Sequence, residues 1–458
     1  MSKRYEAEAG RRLPFFQTKL LFISLGCDKN LVDSEVMLGL LDKKGIQIVD
    51  DEEEADVIVI NTCCFIHDAK EESIQTILEM AEYKKIGSLK ALIVTGCLAQ
   101  RYQEEIVTEI PEVDAVLGTT AYDRISDVIE EALAGKGRVT MEELDALPLT
   151  DVKRLVTTGG HYAYLKIAEG CDKHCTYCII PRLRGSYRSV PMEVLIKEAE
   201  ELALQGVKEL ILVAQETTLY GRDIYGEKSL HILLSRLCQI EGLRWIRVLY
   251  CYPEEIDDNL IEVMKKEKKI CHYLDIPIQH ASDEILRRMG RRTTKEQLTR
   301  IIGKLRAEIP DISLRTTLIT GFPGETKEQH KELLKFVDEM EFDRLGVFTY
   351  SPEEDTKAAQ MPGQIEEEIK EERQAELMEL QQEIVFARGE DRIGEELLVM
   401  IEGKVADEEA YVGRTYMDAP NVDGFIFVNT DAELMSGDFA RVKVTGALEY
   451  DLIGELIE

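Results

Sequence analysis

Apolar runs alternate with helical periodicity along the first part of the chain. Four near-continuous apolar runs are typical of buried parallel strands: 20–25, 57–60, 91–95 and 115–117. Segments that repeat apolar residues every three or four positions predict helices near 31–41, over 68–83, from 99, and over 123–134. The alternation predicts a parallel α/β sandwich over residues 18–134, with helices on both faces of one sheet.

A second alternation starts at residue 162. Strand-like runs fall at 162–168, 209–214, 245–250, 273–277, 313–319 and 345–350. Helical patterns lie near 192–205, 230–240, 255–265, in the stretch ending at 308, and over 327–341. Six such units predict a partial (βα)6 barrel over residues 159–387, with its working face at the carboxyl ends of the strands. The turn-rich stretch 135–158 is expected to be a linker.

The last part of the chain changes character. A charged helix is predicted over 364–388, and five short strands follow within about seventy residues. This pattern predicts a small, closed, all-β barrel of the OB type over residues 388–458. Such barrels often bind nucleic acid, but residues 391–458 hold sixteen acidic and five basic side chains, a net charge of −11. An RNA-binding face would be basic.

The charge of the whole chain also indicates which kind of partner the protein would bind. A formal net charge of −32 over 458 residues disfavours binding to a phosphate backbone and favours a basic partner. No apolar run approaches the roughly 20 residues that span a bilayer, and the N-terminal residues lack a secretory apolar segment. Ten cysteines without an export signal indicate a reducing compartment. We therefore expect a cytoplasmic protein without a membrane partner.

Three cysteines follow the first strand of the predicted barrel. Cys171, Cys175 and Cys178 are spaced C-x3-C-x2-C. Three thiolates on one loop can each take a different iron of a 4Fe–4S cube and leave the fourth iron open to a small molecule. The alternatives are a zinc site and a disulfide pair. Structural zinc prefers a second C-x2-C or C/H pair, and none follows within reach, so the spacing favours the cluster.

A second set of cysteines is spread over the N-terminal domain. Cys27, Cys63 and Cys97 each follow the carboxyl end of a different predicted strand, where ligands of parallel sheets gather. Gly26 and Gly96 permit a close backbone approach. This pattern predicts a second three-thiolate cluster, and the alternative is three buried cysteines packed as small hydrophobes. Cys64 is interpreted as a non-ligand, because adjacent residues of an extended chain point to opposite sides.

The cysteine loop, with Tyr177 before its last cysteine, resembles the signature of radical S-adenosylmethionine (SAM) enzymes. Two cysteine sets, the barrel and the terminal β-barrel together resemble the radical SAM methylthiotransferases, from about residue 19 to the end. The stretches S-L-G-C-D-K-N-L-V-D-S-E (24–35) and G-R-T-Y-M-D-A-P-N-V-D-G (413–424) resemble the branch that modifies an aspartate of small-subunit ribosomal protein S-twelve. The tRNA-modifying branch usually has Q-M-N at 28–30. Asp28 and Cys64 depart from the family, which usually has proline and a small residue there.

The resemblance implies a cofactor set and partners. It implies two 4Fe–4S clusters facing a shared dry cavity, with SAM as radical source and methyl donor and exogenous sulfide or polysulfide on the N-terminal cluster. It implies a terminal TRAM domain, a basic ribosomal protein as substrate and an electron donor such as flavodoxin or ferredoxin. The acidic terminal barrel disfavours tRNA. The alternatives are a tRNA adenosine methylthiotransferase and a non-catalytic, metal-stabilised ribosome- or RNA-binding scaffold.

Side chains around the predicted clusters are further candidates. Those expected to contact SAM are Tyr177, Gln215, Arg315, Gly321 and Pro323. Those expected to contact the SAM carboxylate or the target aspartate are Arg182, Arg184 and Arg188, whose alternative role is a solvated basic strip. Glu216 and Glu325 could move protons. The implied radical chemistry, however, needs no catalytic side chain beyond the clusters.

Overall fold

A computed structural model describes residues 17–87, 89–146, 149, 152–406 and 408–457. The N-terminal segment that lacked a secretory pattern, 1–16, and part of the predicted linker lie outside these residues. The chain divides into two compact units. The first contains the chain up to Leu155 together with Arg182–Arg184, and the second contains Val156–Pro181 and Gly185 onward. No helix among the described residues has the length and apolar character needed to cross a bilayer.

In the first unit, the described residues form a parallel sheet of six strands in the order β2-β1-β3-β4-β5-β6. The strands are β1 Lys19–Ser24, β2 Gln47–Ile48, β3 Val57–Thr62, β4 Ala91–Gly96, β5 Ala115–Leu117 and β6 Val139–Thr140. The α-helices are α1 Asp28–Lys43, α2 His67–Ile86, α3 Cys97–Tyr102, α4 Glu104–Glu109 and α5 Ile125–Leu133, with 3-10 turns at Glu52–Glu54 and Tyr122–Arg124. Strands β3 and β4 are buried along their whole length, as near-continuous apolar runs require.

The two edge strands correct the sequence analysis. Strand β6 lies inside the stretch predicted to be a linker, where it pairs with β5. Strand β2 was not predicted either, and both of its residues are exposed. Each edge strand is two residues long and carries no apolar run, so periodicity does not reveal it.

In the second unit, the described residues hold an open parallel sheet in the order β14-β13-β12-β11-β10-β7. The strands are β7 Tyr162–Lys166, β8 Ala168–Glu169, β9 Arg188–Ser189, β10 Glu209–Val213, β11 Trp245–Val248, β12 Ile270–Asp275, β13 Ser313–Thr320 and β14 Arg344–Thr349. Strands β8 and β9 form a separate antiparallel pair. The six-stranded sheet confirms the partial (βα)6 barrel.

Helices connect these strands. They are α6 Ile180–Arg184, α7 Met192–Leu204, α8 Arg222–Tyr225, α9 Leu230–Leu237, α10 Asp258–Lys266, α11 Asp283–Arg288, α12 Lys295–Glu308, α13 Lys327–Met340 and α14 Glu367–Asp391, with 3-10 turns at Pro253–Glu255 and Ala358–Gln360. Helix α14 is the predicted charged helix. It packs along the last strand of the sheet: the Gln374 amide donates to the Val347 carbonyl at 2.7 Å, and Leu377 is fully buried.

The remaining described strands close a small barrel in the order β15-β16-β17-β19-β18. They are β15 Glu396–Lys404, β16 Ala410–Arg414, β17 Ile426–Asn429, β18 Phe439–Ala447 and β19 Leu452–Leu456. Alternate positions of β18 are buried, and they join a core that includes Val399, Ile426 and Val442. The predicted all-β barrel is confirmed.

Buried ion pairs join this barrel to the parallel sheet within the second unit. Glu209 accepts from Arg247 and from Arg414, both at 2.7 Å, and all three side chains are fully buried. Burial opposes ionisation of Glu209, but Arg414 and Arg247 hold its pKa below the ordinary value. Loss of one partner from such a buried group strongly destabilises the fold, because it leaves a buried charge without compensation. Arg414 lies in the stretch 413–424 that carried the resemblance, so part of that stretch serves to dock the barrel.

Candidate iron–sulfur sites

The first cysteine set lies at one edge of the first sheet. Strands β1, β3 and β4 are neighbours, and their carboxyl ends are aligned by the pairs Ser24↔Asn61 and Thr62↔Gly96. Cys27 occupies the N-cap position of α1, Cys63 follows β3, and Cys97 is the first residue of α3. The structure therefore brings the three predicted ligands to the same edge. Cys27 is exposed, whereas Cys63 and Cys97 are each 6% exposed.

Two glycines lie at this edge where neighbouring atoms leave no room for a side chain. Gly26 has φ +85°, and a Cβ there would lie 2.6 Å from the Cβ and 2.9 Å from the sulfur of Cys63. Gly96 has φ +91°, and its Cβ would lie 2.3 Å from Asn61 Oδ1. Both positions require glycine for conformation and for space. The absence of a side chain before Cys27 leaves room for the Cys63 side chain, and its absence before Cys97 leaves room for the end of β3.

Buried hydrogen bonds hold the strand ends against α1. The Asn30 amide donates to the carbonyls of Leu25, at 3.1 Å, and Thr62, at 2.9 Å. The Asn61 amide donates to the Asn30 carbonyl and to Ser34 Oγ, both at 2.9 Å. Asn30, Asn61 and Ser34 are each at most 1% exposed. A satisfied buried network of this kind rigidifies a site.

Sequence reasoning used the stretch 24–35 only for the resemblance and missed its structural role. Asn30, Asp33 and Ser34 are three and four positions apart, so they share one face of α1. Glu35 adds a buried ion pair with Arg154 at 3.1 Å. The detectable signal was a polar helical face opposite an apolar one, next to a predicted ligand.

Arg184 lies beside this set, because Arg182–Arg184 group with the first unit. Its Nη1 donates to Asp33 Oδ2 at 2.6 Å, and its Nη2 donates to Asn30 Oδ1 and lies 3.5 Å from Cys97 Sγ. The side chain is buried. Its predicted contact with SAM or with a substrate aspartate remains a prediction.

The electrostatics of the first set suit a positively charged metal cluster. Burial, and then the neighbouring thiols Cys97 and Cys27, raise the pKa of Cys63 to about 12. Thiols in such a place ionise when a metal ion compensates their charge. Within the described residues, no three His, Cys, Asp or Glu side chains are close enough to share a single metal ion. A 4Fe–4S cube instead distributes its cysteines over separate irons.

Cys64 differs from its neighbour Cys63. It is fully buried, and burial, followed by Cys97, raises the pKa of its thiol, while Arg101 hydrogen-bonds to it. Its predicted role as a non-ligand stays a prediction.

The second cysteine set lies on the loop between β8 and α6. The loop is closed by a hydrogen bond from the Cys171 amide to the Gly185 carbonyl at 3.2 Å, and by another from the Cys178 amide to the Cys175 carbonyl at 3.1 Å. Gly170 has φ +79°, and a Cβ there would lie 2.0 Å from the Ser186 carbonyl oxygen. Burial raises the pKa of Cys171 to about 12 and raises that of Cys178 as well.

Thr176 anchors the middle of this loop. Its amide donates to the Met289 carbonyl and its hydroxyl to the Arg288 carbonyl, both at 2.9 Å. Its own carbonyl accepts from the Ala358 amide at 2.9 Å. Three hydrogen bonds from one residue fix the loop to segments far away in the sequence. These hydrogen bonds hold the middle of the cysteine loop against the segments around Arg288 and Ala358.

An aromatic and cationic group contacts the loop. The Tyr252 hydroxyl lies 3.6 Å from Cys175 Sγ, and the buried Arg291 guanidinium lies 4.2 Å from the centre of the Tyr252 ring. Lys173 Nζ is 4.9 Å from the same ring centre. These cations are placed to offset negative charge on the thiolates. Tyr177, a predicted SAM contact, is half-buried and packs against an apolar cluster that includes Phe322.

Two buried acceptors lie after β10. Glu216 is fully buried; its Oε1 accepts from the Thr218 amide at 2.9 Å, and its Oε2 has no hydrogen-bond partner among the described residues. Burial raises the pKa of Glu216 to about 7, and Lys173 Nζ lies 3.9 Å away. The Gln215 amide donates to Glu169 at 2.8 Å and leaves Oε1 without a partner in that part of the chain. These acceptors suit a ligand with an ammonium group.

The other predicted residues have varied surroundings. Arg315 donates to Asp275 at 3.0 Å and to Asp423 of the small barrel at 3.2 Å, so it helps to dock that barrel. Gly321 and Pro323 lie in the buried turn after β13. Arg182 is exposed, and Arg188 lies in β9 opposite Glu169. Roles of these residues toward SAM or substrate stay predictions.

Three regions of the chain match known families. Residues 19–118 match the family described as "Uncharacterized protein family UPF0004", residues 165–337 match the "Radical SAM superfamily", and residues 393–457 match the "TRAM domain". The first cysteine set falls in the first region and the second set in the second. This order of regions defines the class of radical SAM methylthiotransferases and confirms the enzyme class predicted from the sequence.

Comparison with individual proteins identifies the family within this class. The chain is 66% identical over 436 residues to ribosomal protein uS12 methylthiotransferase RimO of Lachnoclostridium phytofermentans, covering 95% of this chain and 99% of the relative. It is 50% identical to the enzyme of the same name from Clostridioides difficile, over 96% and 99% of the two chains. The relative from Acetivibrio thermocellus is 53% identical, over 96% and 98%. The chain belongs to the RimO family.

Solved structures support the fold. Two structures of the radical SAM methyltransferase TsrM from Kitasatospora setae align at 15% identity. The form with tryptophan and a SAM analogue has a TM-score of 0.54 over 72% of this chain and 73% of that one. The form with cobalamin and a [4Fe-4S] cluster has 0.55, over 75% and 77%. The predicted cofactors, 4Fe–4S clusters and SAM, are those of the radical SAM methylthiotransferases.

Proposed function

We propose that this chain attaches a methylthio group to the β-carbon of an aspartate in ribosomal protein uS12. The observation that carries the proposal is near-full-length identity of 50–66% to uS12 methylthiotransferases. The two cysteine sets support it independently, since each set offers three thiols, which would leave one iron of a four-iron cluster without a protein ligand.

The side chains have separate tasks. Cys27, Cys63 and Cys97 would hold a 4Fe–4S cluster that carries exogenous sulfide or polysulfide, and the loop cysteines 171, 175 and 178 would hold the cluster that binds SAM. When bound, these groups supply reductive cleavage of SAM and the sulfur and methyl group that are transferred. The chain itself orients them. Glu216 Oε2 and Gln215 Oε1 are buried acceptors placed to receive the ammonium group of SAM.

Charge supports a basic protein as the substrate. Ribosomal proteins are rich in lysine and arginine, and an acidic chain, with a net charge of −32, attracts such a partner. The same charge opposes approach of a tRNA backbone. The one-electron donor is a small redox protein of the flavodoxin or ferredoxin type, and the place of action is the cytoplasm, where the ribosome is assembled.

A reconstitution experiment tests the proposal. The full chain, loaded anaerobically with iron and sulfide, is incubated with SAM, a reductant and purified uS12. We expect mass spectrometry to find one methylthio group in place of a hydrogen on an aspartate, and none with Cys63→Ala. A methylthio adduct on tRNA but not on uS12 would contradict the substrate. Absence of 5′-deoxyadenosine from an iron-loaded sample would contradict the enzyme class.

A further inference from the structure

Arg184 places a buried positive charge against one thiol of the first cysteine set. Its Nη2 lies 3.5 Å from Cys97 Sγ, and the side chain is 2% exposed. Its other terminal nitrogen donates to Asp33 at 2.6 Å, and Asn30 accepts a further hydrogen bond. The guanidinium is therefore held on the side of Cys97 and cannot turn to solvent.

The backbone of this segment is fixed as well. The Thr119 hydroxyl donates to the Leu183 carbonyl at 2.8 Å. The Thr119 amide in turn donates to Gln100 Oε1 at 3.0 Å, and Gln100 lies on α3, the helix that begins with Cys97. A chain of hydrogen bonds thus sets the distance between the Arg184 backbone and the helix that carries Cys97.

We propose that Arg184 is a positioning residue that sets the reduction potential of the cluster on Cys27, Cys63 and Cys97. The inference rests on the proposed function, which puts a cluster there. Hydrogen bonds and positive charge at a ligand sulfur favour the reduced, more negative state of an iron–sulfur cluster and raise its potential. Asp33 offsets part of that charge. Loss of the guanidinium therefore lowers the potential, and loss of the Asp33 carboxylate raises it.

The test uses the full chain with Cys171, Cys175 and Cys178 replaced by alanine, so that only the first set can bind iron. Its potential is measured by anaerobic redox titration followed by electron paramagnetic resonance. We expect Arg184→Gln to lower the midpoint potential, Asp33→Asn to raise it, and Arg184→Lys to give a value between those of Arg184→Gln and the parent. The matched control is Arg124→Gln, since the Arg124 side chain is 39% exposed and pairs with Asp127 at 3.1 Å.

Shifts in opposite directions support the proposal, because a merely structural ion pair would lose iron from both variants without opposite shifts. An unchanged potential in Arg184→Gln and Arg184→Lys, with iron retained, would overturn it. Loss of iron in all three variants at these two positions would also overturn it, because the pair would then be needed to build the site. A parent that binds no iron would instead contradict the proposed function itself.

Discussion

The two cysteine sets are built in opposite ways. The loop set draws its thiols from eight consecutive residues, 171–178, and hydrogen bonds from Thr176 clamp that loop. The first set draws one thiol from the end of each of three neighbouring strands, β1, β3 and β4. Its geometry therefore depends on the register of a whole sheet and on the buried network around Asn30 and Asn61.

The two sets should therefore lose iron in response to different substitutions. The loop set takes all three thiols from one short segment, so substitutions within the loop should reduce its iron binding more than substitutions elsewhere. The first set depends on long-range contacts, so substitutions far from any cysteine in the sequence should also reduce the amount of iron that it binds. Variants matched between the two sets test this contrast.

The largest expected effect comes from the cysteines. Cys63→Ala and Cys175→Ala should both abolish methylthiolation, because each removes a proposed ligand of one cluster. SAM cleavage to 5′-deoxyadenosine should persist in Cys63→Ala and disappear in Cys175→Ala. Product analysis by liquid chromatography and mass spectrometry measures both. Loss of SAM cleavage in Cys63→Ala as well would show that the first set is required structurally.

Glycine variants come next. In Gly96→Ala the new Cβ would meet the Thr62 carbonyl at 2.5 Å, and in Gly170→Ala the Ser186 carbonyl at 2.0 Å, both at positive φ. We expect each to destabilise its unit by ~3 kcal/mol and to reduce iron bound by its own set only. Iron content and urea unfolding measure this.

Gly303→Ala is the matched control for these glycines. Gly303 lies in α12, and its added Cβ has no atom within 4 Å. Gly303→Ala should raise the free energy of unfolding by ~1 kcal/mol. Equal loss of iron from both sets in Gly96→Ala would contradict the local assignment.

A pH effect is expected from Glu216. Its folded-state pKa of about 7 exceeds the ordinary 4.5 because the carboxyl is buried. Between these values the folded chain binds more protons than the unfolded chain, so stability falls as pH rises through this range, by up to ~3 kcal/mol. Thermal unfolding of the iron-free chain at several pH values measures the fall. Glu216→Gln should reduce it, and an identical fall in that variant would contradict the assignment.

The same residue should matter for SAM. Removing the carboxylate that receives an ammonium group costs ~2 kcal/mol, so Glu216→Gln should raise the Kd for SAM roughly 30-fold. Calorimetric titration of the iron-loaded chain measures this. Glu262→Gln is the control, because Glu262 is exposed on α10 and pairs with Lys265. Unchanged affinity in Glu216→Gln would remove Glu216 from the proposed SAM site.

The smallest effects should come from single hydroxyls. Ser34→Ala removes the acceptor of the Asn61 amide, and Thr176→Ala removes the donor to the Arg288 carbonyl. Each should cost ~1 kcal/mol of unfolding free energy. Ser34→Ala should hasten iron loss from the first set and Thr176→Ala from the second, as chelator kinetics would show. The reverse pattern would contradict the comparison.

Periodicity predicted the central strands and the parallel arrangement of the buried sheets, because strands covered on both faces need continuous apolar runs. It missed β2 and β6, which are short edges without such runs. The spacing of the loop cysteines identified one cysteine set as a candidate site, and the position of the strand ends identified the other. Whether these thiols bind clusters stays a prediction.

Side-chain partners could not be predicted. The sequence analysis grouped Arg182, Arg184 and Arg188 as expected contacts to the SAM carboxylate or the target aspartate, with a solvated basic strip as the alternative, because all three follow the cysteine loop. In the structure Arg182 is exposed, Arg184 is buried against Cys97, and Arg188 lies in β9. Arg315 pairs with Asp423 more than a hundred residues away. Such pairs depend on tertiary packing, which neither spacing nor periodicity encodes.

We expect each cysteine set to hold its own cluster. The test is iron analysis combined with Mössbauer spectroscopy of the anaerobically reconstituted full chain. We expect about eight irons per chain, and about four when either set of three cysteines is replaced by alanine. About four irons in the parent, unchanged when Cys27, Cys63 and Cys97 are replaced together, would contradict this expectation.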